Sequence, residues 1–240
     1  MTPLSLSNAI LQAKIRGEIP LIADIKPVSP RDGDLLHQRC AAELAHTLRA
    51  AGACALSVVT ESKHFGGSLA VLAEVTKAVS LPVLRKDFVT SIQDVEASKT
   101  AGAAALLLIL ATTPPSQVSI IYQDAYEQGM EVVVEVHTRR ELDRALALSP
   151  RIIGINNRDI RQLEKDPGDV RVTEELAPLV PEGIVTISES ALLNSEDIAR
   201  AIGAGADAVL VGTAILQSGD PAIRIAELTG RKGGEAHDAH

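Results

Sequence analysis

Charged side chains stand at the ends of several apolar runs of this chain. Ionisable groups in such positions could carry a reaction. Asp24 and Lys26 end the first run, and because a β-strand alternates its faces, residues at this spacing point the same way. Lys86 ends a second run and Glu135 a third. Ionised groups at the end of a buried strand are costly to desolvate unless they have partners or a function. Lysines and carboxylates gathered in a water-poor cup suit general acid–base catalysis, because such surroundings tune their pKa values.

Two further apolar runs lead into polar residues. One is followed by Asn156 and Arg158, and the other by Glu189 and Ser190. Five short apolar runs with polar groups at their C-terminal ends are typical of a parallel barrel with an active site at one rim.

Gly212 and Thr213 follow the last apolar run. A glycine after a strand, then a hydroxyl residue that opens a helix, presents free backbone N–H groups to an anion. In parallel barrels the loops after the last two strands often bind phosphate in this way. The segment therefore indicates a phosphate site, although an ordinary strand-to-helix turn has the same pattern.

Some of these residues also have a purely structural interpretation. Lys86 stands between Arg85 and Asp87 and so fits a surface ion pair, and Glu135 fits a structural partner for a lysine. Their position at strand ends favours function. His137 lies on the same strand face as Glu135 but further out, and we interpret it as loop structure rather than as a catalytic group.

Eight strand-like runs alternate with helical patterns, and they read as near-continuous apolar stretches, as expected where both faces of a sheet are buried. The predicted strands are Leu21–Ile25, Ala55–Val59, Val83–Lys86, Ala105–Leu110, Glu131–Val136, Ile152–Asn156, Ile184–Ser188 and Ala208–Val211. Helices are predicted at residues 41–50 and 68–79, and others are expected to start near Thr113, Thr138 and Asn194.

This alternation predicts a single α/β domain. We expect a (β/α)8 TIM barrel over residues 1–230 with a short N-terminal extension, because a barrel of this kind uses about 250 residues. The tail over residues 231–240 has no apolar period and is predicted to be disordered.

The composition limits the classes of partner. Hydrophobic residues make up 46% of the chain and aromatic residues 2%, so a large aliphatic core is expected. The net charge of −8 argues against nucleic acid or an anionic membrane as the main partner. Cys40 and Cys54 form no ligand-spaced set and are expected to be reduced structural thiols. With neither a secretion signal nor a membrane span expected, we predict a soluble, cytoplasmic protein without a metal site.

Taken in order, the strand-end motifs resemble those of the indole-3-glycerol phosphate synthase family, barrel enzymes of tryptophan biosynthesis. The resemblance runs from about residue 21 to residue 228. The matching segments are residues 22–26 with 29–30, 55–61, 64–68, 81–88, 134–137, 154–159, 188–190 and 211–213. The most diagnostic are Leu81-Pro82-Val83-Leu84-Arg85-Lys86-Asp87-Phe88 and Gly154-Ile155-Asn156-Asn157-Arg158-Asp159.

The resemblance implies a carbon–carbon lyase that works without a cofactor. Its substrate is 1-(2-carboxyphenylamino)-1-deoxyribulose 5-phosphate, which loses carbon dioxide and water as the indole ring closes. By this resemblance Lys86 matches the general acid that activates the ketone, and Glu135 matches its base or acid partner. Lys26 matches the lysine that binds the substrate carboxylate and donates a proton. Asn156 and Glu189 match polar groups that hold the substrate and the intermediate.

The other matched positions concern binding. Arg158 matches a residue that supports this polar set, and Phe65 and Phe88 match apolar walls around the anthranilate ring. The positions that match phosphate contacts are Ser29, Ser190, Gly212 and Thr213.

Three departures from the family pattern lie close to the expected site. Asp24 stands where the family usually has a catalytic glutamate, so its reach is shorter by one methylene. Ala191 stands where the family usually has glycine, which is unfavourable if the backbone there needs a positive φ. About 20 residues precede the first strand, a shorter extension than many members have.

Three interpretations of the function therefore stay open. The chain is the synthase itself, a paralogous barrel enzyme on another phosphorylated sugar or carbonyl compound, or a non-catalytic barrel that serves as a partner subunit or scaffold. The expected partner is a small phosphorylated molecule. The expected assembly is a monomer or a weak homodimer, with another pathway enzyme as a candidate partner.

Overall fold

The computed structural model of the chain describes residues 4–162 and 166–231. Its strands are β1 (Leu21–Ile25), β2 (Val28–Ser29), β3 (Gly33–Asp34), β4 (Ala55–Val59), β5 (Val83–Lys86), β6 (Ala105–Ile109), β7 (Glu131–Val136), β8 (Ile152–Asn156), β9 (Val185–Glu189) and β10 (Ala208–Val211). Eight of them pair in parallel and close into a barrel in the order β1-β10-β9-β8-β7-β6-β5-β4. Strands β2 and β3 form a small antiparallel hairpin after β1.

In the described ranges one helix precedes the first strand, two follow the last strand, and the others lie between strands in sequence. They are α1 (Leu6–Ile15), α2 (Ala41–Ala50), α3 (Leu69–Ala78), α4 (Ile92–Thr100), α5 (Pro115–Glu127), α6 (Arg139–Leu146), α7 (Arg171–Leu176), α8 (Ser195–Gly203), α9 (Thr213–Leu216) and α10 (Pro221–Thr229). The predicted (β/α)8 barrel is confirmed. None of the helices in the described ranges is long and apolar enough to cross a membrane.

The predicted strand ends agree with the structure to within one residue, whereas α5 begins at Pro115, two residues after the predicted start near Thr113. Strand β6 ends at Ile109 rather than Leu110, and β9 is displaced by one residue so that it includes Glu189. The predicted helix starts at Thr138 and Asn194 carry side-chain caps, which accept the N–H groups of Glu141 and Asp197. Except for Arg231, the tail predicted to be disordered lies outside the described residues.

Helix α1 closes the N-terminal end of the barrel. Its buried residues, Leu6 and Ile10 among them, belong to the same apolar cluster as the inward-facing residues of the strands. The carboxylate of Glu131, the first residue of β7, accepts the backbone N–H groups of Leu6 and Ser7 and the hydroxyl of Ser7. A carboxylate at a helix N-terminus is favourable, because it satisfies free N–H groups and complements the helix dipole. Helix α1 therefore covers this end of the barrel, and the opposite end stays open.

Candidate active site

The polar groups of the open end stand directly above inward-facing apolar residues. The buried cluster inside the barrel includes Ile22, Leu84, Val133, Ile152 and Ile187. Two residues further along the same strands come Asp24, Lys86, Glu135, Gly154 and Glu189. Because side chains alternate along a strand, these later positions also face the barrel interior, at its C-terminal end.

Lys86 is the cation at the centre of this group. Its Nζ donates a hydrogen bond to Glu189 Oε2 at 2.6 Å and lies 3.7 Å from Glu135 Oε2. Both carboxylates are buried, with exposed side-chain fractions of 1% for Glu189 and 0% for Glu135. The exposed fraction of the Lys86 side chain is 15%. The two carboxylates thus form a floor beneath an ammonium that reaches the cup. The sequence had suggested Glu135 as the partner of a lysine, but the direct partner is Glu189.

Burial and mutual charge set the protonation of this floor. Burial alone would lower the pKa of Lys86, but Glu189, Glu135 and Asp24 raise it above its usual value. Burial raises the pKa of Glu189 to about 7, with Lys86 opposing the shift and Glu135 adding to it. Burial also raises the pKa of Glu135, again against the effect of Lys86. Lys86 therefore stays charged, and Glu189 exchanges its proton near the pH range in which acid–base catalysis works best.

A glycine on β8 makes room for the Glu189 carboxylate. A Cβ on Gly154 would lie 2.7 Å from Glu189 Oε1 and 3.0 Å from Val133 Cγ1. A larger residue at Gly154 would therefore push Glu189 away from Lys86. Sequence reasoning named Gly154 only within a family motif. The signal for its role is a glycine inside an otherwise buried apolar strand, which marks a close approach.

Two adjoining cavities open at the barrel mouth, and the residues that line both are Lys26, Lys86, Arg158 and Ser190. The first cavity, about 490 Å³, is walled mainly by apolar side chains, among them Val59, Phe65, Phe88, Leu107, Ile109 and Ile160. Asn156 also lines it, and its Oδ1 accepts the backbone N–H of Arg158 at 3.0 Å. The second cavity, about 400 Å³, is lined by Asp24, Ala191, Gly212 and Thr213 as well as aliphatic residues.

The two aromatic walls are held through their backbone. Glu61 Oε2 accepts the N–H of Phe65 at 3.0 Å, and Asp87 Oδ1 accepts the N–H of Phe88 at 2.8 Å. Asp87 is itself paired with Arg85 at 2.9 Å, on the opposite side of β5 from Lys86. That pair is largely buried, so it positions the wall of the cavity and does not engage Lys86.

The turn after β10 forms one end of the second cavity. Thr213 is the first residue of α9, where the backbone N–H groups of the first turn have no intrahelical acceptor. A Cβ on Gly212 would lie 3.0 Å from Asp24 Cβ and 3.1 Å from Asp24 Oδ2. Glycine therefore lets this turn pack directly against the carboxylate of β1.

The role of the Asp24 carboxylate can be tested by comparing the wild type with two variants. We expect Asp24→Glu to keep or mildly raise the activity and Asp24→Asn to lose much of it, because Asp24 is one of the charges that hold Lys86 protonated. The measurement is kcat for the two variants and the wild type in one assay. Equal values in all three proteins would show that this carboxylate has only a structural role.

The turn after β9 has a left-handed backbone at Ser190 and Ala191, with φ of 67° and 56°. Ala191, where the family usually has glycine, thus has a positive φ. For a residue with a side chain this conformation is expected to cost about 1–2 kcal/mol. Asn157, which sequence reasoning quoted only within a motif, holds this turn. Its Nδ2 donates to Ser190 O at 3.0 Å, and its backbone N–H donates to Glu189 O at 2.9 Å.

Ser29 stands apart from the other predicted phosphate contacts. It is buried at the end of β2, and its hydroxyl donates to Asp32 Oδ2 at 3.0 Å. Ser190, Gly212 and Thr213 line the second cavity together, whereas Ser29 is not part of the wall of either cavity. The structure therefore brings together three of the four predicted positions.

In the part of the chain that the structure describes, no group of three His, Cys, Asp or Glu side chains is arranged to hold a metal ion. Apart from Ser29, the site residues that the sequence predicted come together at the barrel mouth. What they form is an ammonium over a carboxyl floor, between an apolar cavity and a more polar one.

Comparisons with known proteins cover nearly the whole chain. The family model described as Indole-3-glycerol phosphate synthase matches residues 2–228. A relative of that name from Pyrococcus furiosus is 43% identical over 222 residues, which cover 92% of this chain and 95% of the relative. One from Thermococcus kodakarensis is 43% identical over 216 residues, covering 90% and 93%. One from Nocardioides sp. is 41% identical over 210 residues, covering 88% and 80%.

Among solved structures, one described as "Native KDPGal structure" superposes with a TM-score of 0.61. The match covers 88% of this chain and 92% of that chain, at 18% sequence identity. At such low identity the likeness concerns the fold alone.

Proposed function

Because the chain belongs to the indole-3-glycerol phosphate synthase family, we propose that Lys86, above Glu135 and Glu189, is the acid that drives its ring closure. The family's enzymes are carbon–carbon lyases of tryptophan biosynthesis. They convert 1-(2-carboxyphenylamino)-1-deoxyribulose 5-phosphate into indole-3-glycerol phosphate, carbon dioxide and water. Membership decides between the three interpretations of the sequence in favour of the synthase.

The roles of the residues are assigned from the two cavities that share Lys86. The substrate has an aromatic ring at one end, a phosphate at the other and a ketone between them. The anthranilate ring fits the cavity walled by Phe65 and Phe88, and the phosphate fits the one that ends at Gly212 and Thr213. The ketone then lies over the shared wall, within reach of the Lys86 ammonium.

Lys86 acts on the ketone oxygen in this arrangement. Negative charge develops there as the ring carbon attacks, and a neighbouring ammonium stabilises the charge and donates its proton. Lys26, on the same shared wall, pairs with the carboxylate that leaves as carbon dioxide. Glu189 returns a proton to Lys86 through their 2.6 Å hydrogen bond, and Glu135 is the second acid–base partner.

The remaining polar residues hold the substrate. Asn156 and Arg158, joined by a hydrogen bond of 3.0 Å, face the ring cavity near the new hydroxyl group. Ser190, Gly212 and Thr213 contact the phosphate. Ser29 is the weakest of the proposed contacts, because it lines neither cavity.

Product fluorescence gives the direct test of the function. The wild-type protein is mixed with the anthranilate–ribulose phosphate, and indole fluorescence is followed in time. We expect steady turnover without any added cofactor or metal. A folded wild-type protein that binds the substrate without forming the indole would contradict the proposal.

The phosphate end of the site is tested by Gly212→Val. A Cβ at this position meets Asp24, so the β-branched side chain shifts the turn away from the anion. We expect KM to rise about tenfold or more, the effect of losing one or two charge-assisted hydrogen bonds, and inorganic phosphate to lose its power to inhibit. Steady-state kinetics with phosphate as inhibitor measure both.

Gly219→Val, at a glycine whose added Cβ would meet nothing within 4 Å, is the matched control and should leave KM unchanged. Equal phosphate inhibition of the Gly212→Val variant and the wild type would place the anion elsewhere.

We further propose a cytoplasmic location and a monomer or weak homodimer, with another enzyme of the pathway as a candidate partner. Cys40 and Cys54 are both unpaired thiols, which suits a reducing compartment. Sedimentation of the purified chain over a range of concentrations tests the assembly.

A further inference from the structure

His137 stands between two carboxylates, one deep in the site and one at the side of the barrel. Its Nε2 lies 3.3 Å from Glu135 Oε1, and its Nδ1 lies 3.4 Å from Glu141 Oε2. Glu135 is fully buried, the His137 side chain is 11% exposed, and the Glu141 side chain is 17% exposed. The three groups therefore form a chain from the floor of the cup to solvent. His137 lines neither of the two cavities, so its effect on the substrate passes through Glu135.

The place of Glu141 in this chain is fixed by the backbone. Its Oε2 accepts the N–H of His137 at 2.7 Å, and its own N–H is capped by the side chain of Thr138. The first turn of α6 thus holds the carboxylate against the imidazole of His137, the residue that follows β7. Both ring nitrogens are buried and form no hydrogen bond with any described residue, and a carboxylate oxygen lies within 3.4 Å of each.

The ring closure needs a supply of protons, an argument that rests on the proposed function. Attack on the ketone takes up one proton at the oxygen, and the resulting hydroxyl leaves as water with a second. One proton is released from the carbon next to nitrogen. The carboxylate leaves as carbon dioxide and neither takes up nor releases a proton. Each turnover therefore takes up one proton from solvent. Bound substrate covers Lys86 from above and shuts off water on that side.

We propose that His137 relays protons between Glu141 and the buried carboxyl of Glu135. The proton of the Glu141 carboxyl moves to Nδ1 while the Nε2 proton moves to Glu135 Oε1. The result is a Glu141 carboxylate, a neutral imidazole and a protonated Glu135, so charge and protons balance. Exchange of the ring protons with water, which removes the proton from Nδ1 and adds one at Nε2, restores the starting tautomer, and water reprotonates Glu141. His137 is a relay residue in this scheme and does not contact the substrate.

The charges around His137 are compatible with this role. The groups that face it are Glu135 on its own strand, Glu141 on α6, Glu189 on β9 and Asp159 after β8, with Lys86 beyond the two buried carboxylates. Burial lowers the pKa of His137, against the opposing effect of Glu141, Glu189 and Asp159. A lowered pKa favours the neutral imidazole, the form in which one ring nitrogen is free to accept a proton.

Replacing His137 with glutamine tests the relay, with His46→Gln on the exposed face of α2 as the matched control. In dilute buffer we expect His137→Gln to lower kcat about tenfold or more while KM changes little, because binding is untouched and proton supply becomes limiting. Added imidazole should restore most of kcat in this variant and leave the wild type and His46→Gln unchanged. Glu141→Gln, which keeps an acceptor for the His137 N–H, should show the same loss and the same rescue.

An unchanged kcat in His137→Gln overturns the relay, and so does a loss that imidazole does not restore, which would mark a positioning role alone. Imidazole nitrogen NMR gives a readout that does not need turnover. Glu141→Gln should shift the Nδ1 resonance of His137, and Glu135→Gln should shift the Nε2 resonance. Resonances unmoved in both variants overturn the relay even if the wild type proves inactive on the proposed substrate, which is a separate failure.

Discussion

Lys86→Ala is expected to fold normally and to lose nearly all turnover. A general acid contributes about 10²- to 10⁴-fold to the rate, and this ammonium lies 2.6 Å from one acid–base partner and 3.7 Å from another. The loss should appear in kcat, under conditions where chemistry limits the rate, with a smaller change in KM. Lys77→Ala, at an exposed lysine of α3, is the matched control and should keep full activity. A Lys86→Ala protein that retained more than about a tenth of wild-type kcat would show that another group is the acid.

The same variant has a stability signature that separates folding from chemistry. Burial raises the pKa of Glu189 to about 7, and Lys86 opposes that shift. A carboxyl with a raised folded pKa favours the folded state below its unfolded pKa and loses that contribution as pH rises through the folded pKa. Without Lys86, which opposes the shift, the pKa of Glu189 in the folded protein rises further. The pH at which this stabilising contribution is lost rises with it. Thermal unfolding should therefore show Lys86→Ala close to wild type near pH 5 and progressively less stable above pH 7.

The barrel could be predicted from the sequence because its strands are read from one strong signal. Both faces of a parallel strand are buried, so runs such as Val132-Val133-Val134 are unambiguous when they alternate with helical segments. Helix α1 was not predicted as a helix, because its burial depends on inward-facing residues of strands that follow it in the chain. The hairpin of β2 and β3 was missed as well, since two strands of two residues each carry almost no periodicity.

The site was predictable to the level of which residues meet and no further. Alternation along each strand placed Lys86, Glu135 and Glu189 at one rim, but it could not say that Lys86 bonds Glu189 directly. That choice depends on the missing side chain of Gly154, which lets the Glu189 carboxylate lie across β8. The sequence likewise gave no reason to place His137 against two carboxylates, because one of them comes from the next helix.

Glu135→Gln is the second substitution with a large expected effect. Glutamine keeps the shape of a side chain that is fully buried but cannot exchange a proton. It also removes one of the charges that raise the pKa of Lys86. We expect the protein to fold, because an amide is less costly to bury than a carboxylate, and kcat to fall about 10²-fold or more. Glu96→Gln, on the exposed side of α4, is the matched control and should leave kcat unchanged.

The pH dependence of kcat shows whether Glu135 takes part as an acid–base group. In the wild type two coupled carboxyls, Glu135 and Glu189, titrate beneath Lys86, and burial has raised the pKa of both. With Glu135 replaced by an amide, the negative charge that adds to the shift of Glu189 is gone, so the remaining carboxyl should titrate at lower pH. The limb of the pH–rate profile that reports it should therefore move to lower pH while kcat falls. A fall in kcat with an unmoved profile would mean that Glu135 only supports the shape of the floor, and Glu189 would then be the sole partner through which Lys86 is recharged.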